Sequence, residues 1–318
     1  MKRSITIPEA AGFLRSGDHY CIVTHRRPDG DTIGCAAALC GGLRQLGKRA
    51  YILENPQFTA KFRPYLDGLT ADGVEDDACI VAVDIAASGL FPYGYEALAQ
   101  RTALAIDHHG SNDGYAARSY VDPDAAACGE IILEVLRELN VTPDRRIAEA
   151  LYCAISTDTG CFRYSNTTAN TLRAAAYCKD CGADTFAINQ VMFMTKRLAR
   201  LKLEAYLTEM TEFYADGLVA ISRLPNETRA ALGITEDDID DISGFGREIA
   251  GVEIGIMIRD ERGDGKLSVR TSPRYDASAI CRALGGGGHR AAAGATVSGG
   301  IAEAKAAVLQ VLAEMGVL

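Results

Sequence analysis

Short apolar runs that end abruptly in charge constrain this chain more than anything else in it. "TALAI" (residues 102–106) stops at Asp107, His108 and His109, and "CIVAV" (79–83) stops at Asp84. "YCIVT" (20–24) runs into His25, Arg26, Arg27, Pro28, Asp29, Gly30 and Asp31, and "AYILE" (50–54) has the same apolar character. Runs that are continuously apolar rather than alternating suit a parallel sheet covered on both faces. Parallel strands share one direction, so the charges that follow them gather at one edge. That edge, at the carboxyl ends, is where open α/β sheets hold ligands. Left unpaired there, carboxylates and imidazoles would be costly to desolvate. Something must satisfy them.

The segments between these runs read as helices. "DTIGCAAALCGGLRQLG" is Ala- and Leu-rich and stops at Gly47, and residues 129–139, 144–157 and 168–181 follow, the last stopped by Gly182. The character changes after residue 185. "NQVMFMTKRLARLKLEAYLTEM" (189–210) is a helical pattern without Gly or Pro, carrying Lys196, Arg197, Arg200 and Lys202. Beyond it, strand-like "GLVAIS", "VEIGIMI" and "KLSVRTS" surround shorter helices and lead to "GGGGHRAAAGATVS". The expected fold is α/β. A parallel-sheet domain spans residues 1–186, a rigid connecting helix 187–209, and a smaller α/β domain 210–318, with a cleft between the domains. A chain of 318 residues suffices for two cores.

Composition narrows the function. A net charge of −9 excludes a protein that coats long nucleic acid by neutralising phosphates, though not one that takes a small anionic substrate. No apolar stretch has the length of a membrane span or a signal peptide, so the cytoplasm is the expected compartment. Most of the ten cysteines sit inside apolar patterns and read as buried thiols; Cys178 and Cys181 form a lone C-x-x-C without a second pair. Of five histidines, four lie in the charged motifs or the glycine-rich one: His25, His108, His109 and His289.

Each motif has an ordinary reading as well as a chemical one. Around Pro28 and Gly30, His25, Asp29 and Asp31 can converge as ligands for a hard or borderline divalent ion. Equally, Asp31 can cap the following helix while Asp29 and His25 stay solvated. Asp84 alone is a common strand end. Adjacent imidazoles at 108 and 109 point to ligand or acid–base duty, unless one is simply buried and the other solvated. Asp158, in "AISTDTGCFRYSNTT", ends a helical run, where a carboxylate opposes the helix dipole.

Together and in order, "HRRPDGD", "VDIA", "IDHH" and "STDTGCF" resemble the four motifs of the DHH phosphoesterase superfamily, and "GGGGHRAAAGA" resembles the glycine-rich motif of its DHHA1 domain. The likeness covers nearly the whole chain and is greatest to the stand-alone NrnA type. It implies two divalent metal ions, usually Mn²⁺. His25 and Asp29 would hold one, Asp31, His108 and Asp158 the other, and Asp84 would bridge them. Asp107 would hold its neighbours in place, and His109 would face the substrate phosphate. Arg270, Gly287, Gly288 and His289 would bind substrate, the glycines by presenting backbone amides to an anion. Cys35 departs from a frequent Ser, and Arg26–Arg27 is more basic than usual. The implied activity is hydrolysis of short oligoribonucleotides to nucleoside monophosphates and of 3′-phosphoadenosine 5′-phosphate to AMP. A cyclic-dinucleotide or pApA phosphodiesterase and a catalytically silent nucleotide-binding module are the alternatives. Expected partners are a short oligonucleotide or nucleotide and a second copy of the chain, with no membrane.

Overall fold

A computed structural model describes residues 3–239 and 242–318. The chain divides into two compact units, Met1–Thr195 and Lys196–Leu318.

The first unit begins with β1 (Arg3–Ser4), α1 (Ile7–Ser16), β2 (His19–Val23), α2 (Gly30–Gln45) and β3 (Arg49–Leu53). Then come α3 (Arg63–Leu66), β4 (Thr70–Ala71), β5 (Cys79–Val83), β6 (Thr102–Asp107) and β7 (Arg118–Val121). Helices α4 (Cys128–Glu138), α5 (Arg145–Asp158), α6 (Ala169–Asp180) and α7 (Thr185–Asn189) close it. The seven strands pair in the order β1-β7-β6-β5-β2-β3-β4, every pair parallel. From β2 the chain builds outward through β3 and β4, then returns to lay β5, β6 and β7 on β2's other side. The order therefore reverses between β2 and β5. Such a reversal opens a crevice at the carboxyl edge, because the connections leave to opposite faces.

Helix α2 is buried along nearly its whole length, and small residues permit its close packing on α5. A Cβ on Gly34 would lie 2.3 Å from the Ala150 carbonyl oxygen, and one on Gly30 would lie 2.3 Å from Thr157 Oγ1. That closeness sets the start of α2, with Asp31, beside the end of α5, with Asp158. Cys178 is buried and Cys181 half-buried, both as free thiols in the helical packing.

The second unit contains α8 (Leu198–Met210), β8 (Glu212–Tyr214), β9 (Val219–Leu224), α9 (Asn226–Ala231), β10 (Ile254–Glu261) and β11 (Asp264–Thr271). It ends with α10 (Ala277–Ala283), β12 (Gly287–Gly288), β13 (Ala292–Val297) and α11 (Ile301–Glu314). Its mixed sheet runs β12-β13-β11-β10-β9-β8, with only β9 and β10 parallel among its pairs.

The rigid connecting helix expected over residues 187–209 is not continuous. After α7 comes one π-helical turn, Gln190–Met194, and then Thr195 and Arg197 are extended before α8 begins. Tertiary contact overrides helical propensity here. Arg197 donates to Thr235 Oγ1 (3.0 Å) and to the buried Asp238 carboxylate (2.5 Å). Helix α8 packs Leu203 and Leu207 against Leu224 and Met257 of the second unit. It is part of that unit's core rather than a free-standing connector.

Candidate metal centre

Asp29, not Asp31, caps α2. Its Oδ1 accepts from the amides of Asp31 (3.1 Å) and Thr32 (3.2 Å), which leaves Oδ2 out of the cap. Asp31, in the first helical turn, is buried and held from the far side. The Cys128 amide donates to its Oδ2 (2.7 Å), and the Gly129 amide (2.9 Å) and Cys35 thiol (3.2 Å) donate to its Oδ1. Those amides open α4, so a helix N-terminus steadies the carboxylate. No ligand-like pattern flags Cys128 or Gly129. The available signal was Gly129 itself, where a Cβ would meet Ala154 Cβ at 2.6 Å.

Two histidines turn their Nε2 atoms toward the carboxylates because backbone carbonyls take their Nδ1 protons. His25 Nδ1 lies 2.8 Å from the Arg26 carbonyl, and His108 Nδ1 lies 3.1 Å from that of Ala125. His25 Nε2 faces Asp29 Oδ1 (3.5 Å) and Asp84 Oδ2 (3.8 Å). His108 Nε2 faces Asp84 Oδ1 (3.6 Å), Asp158 Oδ2 (3.6 Å) and Asp31 Oδ2 (3.8 Å). Ligand atoms of His25, Asp29 and Asp84 all lie within 4.8 Å of one another, as do those of Asp31, His108 and Asp158. Asp84 thus offers one oxygen to each histidine.

Asp84 follows β5 with φ of 58°, a left-handed conformation that costs an L-residue about 1–2 kcal/mol. Its amide donates to the Ile106 carbonyl (2.9 Å), which anchors that turn to β6. The side chain is 2% exposed, and Oδ1 is buried without a hydrogen-bond donor. Burial, with Asp31 nearby, pushes its pKa well above the carboxylate range. Burial and Asp31 raise Asp158 to about 7; burial raises Asp31 to about 6, with His108 opposing and Asp29 reinforcing. Burial alone would lower both imidazole pKa values. Asp29 outweighs it at His25, and Asp31 with Asp158 outweighs it at His108, so both stand above the usual value. Converging carboxylates and imidazole lone pairs, one oxygen without a donor, fit divalent cations of the Mn²⁺ or Mg²⁺ kind.

Asp107 is buried and reaches none of these groups as a ligand. Its Oδ1 accepts from the His108 amide (2.8 Å), the His109 amide (3.2 Å) and His109 Nδ1 (2.8 Å), while Asn112 Nδ2 donates to Oδ2 (2.7 Å). It fixes His109, whose side chain, 31% exposed, is the most open imidazole of the centre. His109 Nδ1 also lies 3.5 Å from Asp84 Oδ1. Asn112, which no motif in the sequence singles out, is what orients Asp107.

At the opposite, amino edge of the sheet, His19 Nδ1 lies 2.9 Å from Asp77 and Nε2 lies 3.4 Å from Glu75. Arg49 binds both Asp77 (3.3 Å) and Asp18 (3.0 Å), so these carboxylates are ion-paired at the surface, with acid still in excess over base.

In the second unit, half-buried Arg270 on β11 donates to Ser243 Oγ (3.0 Å). Gly287 and Gly288 pair with Gly294 and Ala293 of β13, and exposed His289 closes the turn through Ala292. Packing accounts for two of the four glycines. A Cβ on Gly286 would lie 2.2 Å from the Gly294 carbonyl oxygen, and one on Gly288 would lie 2.6 Å from Ala293 Cα. Gly287 is different, with nothing within 4 Å of a Cβ.

Known proteins bear on this geometry in three ways. Residues 19–155 match the N-terminal domain of the DHH family, and residues 217–315 match the DHHA1 domain. The chain is 33% identical over 286 residues to the bifunctional oligoribonuclease and PAP phosphatase NrnA of Thermus thermophilus, covering 87% of this chain and 84% of that one. To the Bacillus subtilis protein of the same description it is 25% identical over 284 residues, covering 87% and 89%. An exopolyphosphatase-related protein from Bacteroides fragilis superposes with a TM-score of 0.86 at 21% identity over 97% of this chain and 95% of that one, a likeness of fold. With its paired motifs, its two domains and its carboxylate–imidazole centre, the chain belongs to the DHH family, as a metal-dependent phosphoesterase with a DHHA1 domain.

Proposed function

We propose that this protein hydrolyses very short oligoribonucleotides to nucleoside monophosphates and removes the 3′-phosphate of 3′-phosphoadenosine 5′-phosphate, using two divalent ions, Mn²⁺ by preference. The observation that carries the reading is the division of Asp84, with Oδ2 toward His25 (3.8 Å) and Oδ1 toward His108 (3.6 Å). The names of the NrnA relatives from Thermus thermophilus and Bacillus subtilis supply the substrate classes.

In this reading His25 and Asp29 hold one ion, Asp31, His108 and Asp158 the other, and Asp84 is shared. Bound there, two divalent cations neutralise phosphoryl charge and make a water nucleophilic at neutral pH. The chain's own residues do the rest. Asp107 keeps the His109 proton on Nδ1, so that Nε2 is turned to the substrate phosphate. The Asp107 carboxylate, 2.8 Å from Nδ1, fixes the orientation of that ring. Arg270 and His289, with the open backbone at Gly287 and Gly288, grip another part of the substrate. Loss of one charge-assisted contact there, as in His289→Ala, costs about 1.5–3 kcal/mol. That loss falls on substrate affinity and leaves metal content unchanged.

The test is a hydrolysis panel on chelated protein resupplied with Mn²⁺ or Zn²⁺, using di- to pentanucleotides, 3′-phosphoadenosine 5′-phosphate, pApA and cyclic di-AMP. Mn²⁺-dependent cleavage of the first two classes is expected. Cyclic di-AMP as the preferred substrate would replace this reading with a cyclic-dinucleotide phosphodiesterase. Binding without hydrolysis under every metal would leave a silent nucleotide-binding module.

A further inference from the structure

The carbonyl of Arg26, the residue after His25, orients that imidazole (2.8 Å), but its side chain points to other partners and is held tightly. Its amide donates to the Leu90 carbonyl (2.6 Å), which ties the segment after Asp84 to the segment after β2. Its guanidinium lies 3.9 Å from the centroid of the Tyr93 ring, and Nη2 reaches Glu96 at 3.4 Å. Tyr93 itself is presented by a rigid turn. Phe91 is buried and meets Tyr115 edge-on at 5.2 Å. The Tyr95 amide donates to the Pro92 carbonyl (2.9 Å), and Gly94 has φ of 83°. A positive φ at the third position of a four-residue turn calls for glycine. The Glu96 carboxylate closes the arrangement by accepting from the Gly94 amide (3.0 Å).

A large aromatic ring is thus held beside the catalytic edge, one face covered by a fixed cation, and Tyr93 keeps 41% of its surface exposed. An exposed aromatic immobilised before any ligand arrives gives up little entropy on stacking. Bases of any identity stack on such rings, because every base has a π-face. The guanidinium behind the ring adds positive charge beside a substrate rich in phosphate.

We propose that Tyr93, backed by Arg26, is the platform on which one nucleobase of the substrate stacks. The proposal rests on the nucleotide reading above and makes base stacking, rather than hydrogen-bond readout, the source of grip in this unit. It entails tolerance of base identity combined with a requirement that a base be present.

The experiment uses full-length protein with Mn²⁺. The substrates are an adenylyl dinucleotide, its two isomers with one base replaced by an abasic ribose, and bis(p-nitrophenyl) phosphate. Tyr93→Ala is expected to lower kcat/KM on the dinucleotide by about 10- to 100-fold, mainly through KM, the range typical of one base–aromatic stack. Tyr93→Phe and Tyr93→Trp should restore it. For one abasic isomer the wild type should already have lost that factor, and Tyr93→Ala should then add little, because both changes cut the same contact. Equilibrium binding of the dinucleotide to Asp84→Asn protein should weaken by the same factor when Tyr93→Ala is added. Undiminished dinucleotide cleavage by Tyr93→Ala, a loss that simply multiplies with loss of either base, or failure of Tyr93→Phe to rescue would overturn the platform. Wild-type protein that cleaves bis(p-nitrophenyl) phosphate but no dinucleotide would instead overturn the nucleotide reading, and the platform with it.

Discussion

Replacing Asp84 with Asn tests the metal centre in two opposite directions at once. The substitution keeps the shape of a side chain that is 2% exposed and removes its charge. Without metal, that charge is a burden, since Oδ1 has no donor and burial with Asp31 raises the pKa well above the usual value. A group whose folded pKa is raised destabilises the fold as pH climbs above its unfolded value, near 4. At pH 8, an amide that cannot ionise escapes that penalty of about 1–3 kcal/mol, the usual cost of one uncompensated buried group. For a unit of this size that is roughly 2–12 °C in melting temperature. In chelator, Asp84→Asn should therefore melt above wild type. With Mn²⁺ the order should invert, because wild type gains the free energy of ligand binding and the variant lacks the carboxylate common to both sites. Activity should fall about 10³-fold or more, roughly 4 kcal/mol of lost electrostatic stabilisation. Scanning calorimetry with and without Mn²⁺, plus initial rates, reads all three quantities. A variant that melts below wild type in chelator, or keeps Mn²⁺ stabilisation and activity within tenfold, would refute the shared-carboxylate reasoning.

Other expectations follow from the same geometry. Asp31 at about 6 and Asp158 at about 7 stay protonated in the fold at pH values where the unfolded chain has released those protons. Metal-free stability should therefore fall as pH rises from about 4 to about 7, while Mn²⁺ affinity rises over the same window. Calorimetry at pH 6.5 in two buffers of different ionisation enthalpy should detect proton release on Mn²⁺ binding, and buffer-independent heats would contradict it. Asn112→Ala removes the 2.7 Å donor to Asp107 and frees the carboxylate that fixes His109. Activity should drop about 10- to 100-fold with metal content nearly intact, as for other groups that orient a site; loss of bound metal would show that Asn112 supports ligands instead. Gly160→Ala places a Cβ 2.3 Å from the Tyr164 ring at φ of 55°. Steric strain in the turn after Asp158 should cost about 1–2 kcal/mol by denaturant titration and weaken Mn²⁺ binding, and an unchanged midpoint would count against that strain.

Much of the first unit could be read from pattern because burial on two faces writes itself into composition. The run at 79–83 is β5 without adjustment, those at 20–24 and 50–54 lie one residue later than β2 and β3, and that at 102–106 stops one residue short of the end of β6. The short outer strands left no such trace. Strands β1 and β4 are two residues long, and β7 is partly exposed, so their apolar signal is too brief to separate from loop. The charged residues were legible for the converse reason. Each has an ordinary reading alone, but His25, Asp84 and His108 all follow buried parallel runs, and the structure brings them together with Asp29, Asp31 and Asp158.

What sequence could not convey is which atoms hold those side chains in place. Asp31 depends on amides of Cys128 and Gly129, about a hundred positions away, and backbone donors have no residue code. Capping went to Asp29 because the N-cap position is fixed by where α2 begins. Gly30 decides that by fitting against Thr157, so the ordinary and chemical readings of "PDGD" were never exclusive. The same carboxylate that starts the helix presents an oxygen toward His25. The break at residues 195–197 makes the complementary point. Nothing local forbids a helix there, and distant Thr235 and Asp238 hold Arg197 in the break. Local pattern therefore locates the chemistry, while long-range contacts set its geometry. Perturbing Asn112 or Gly129 should move the centre without touching any of its ligand-type side chains.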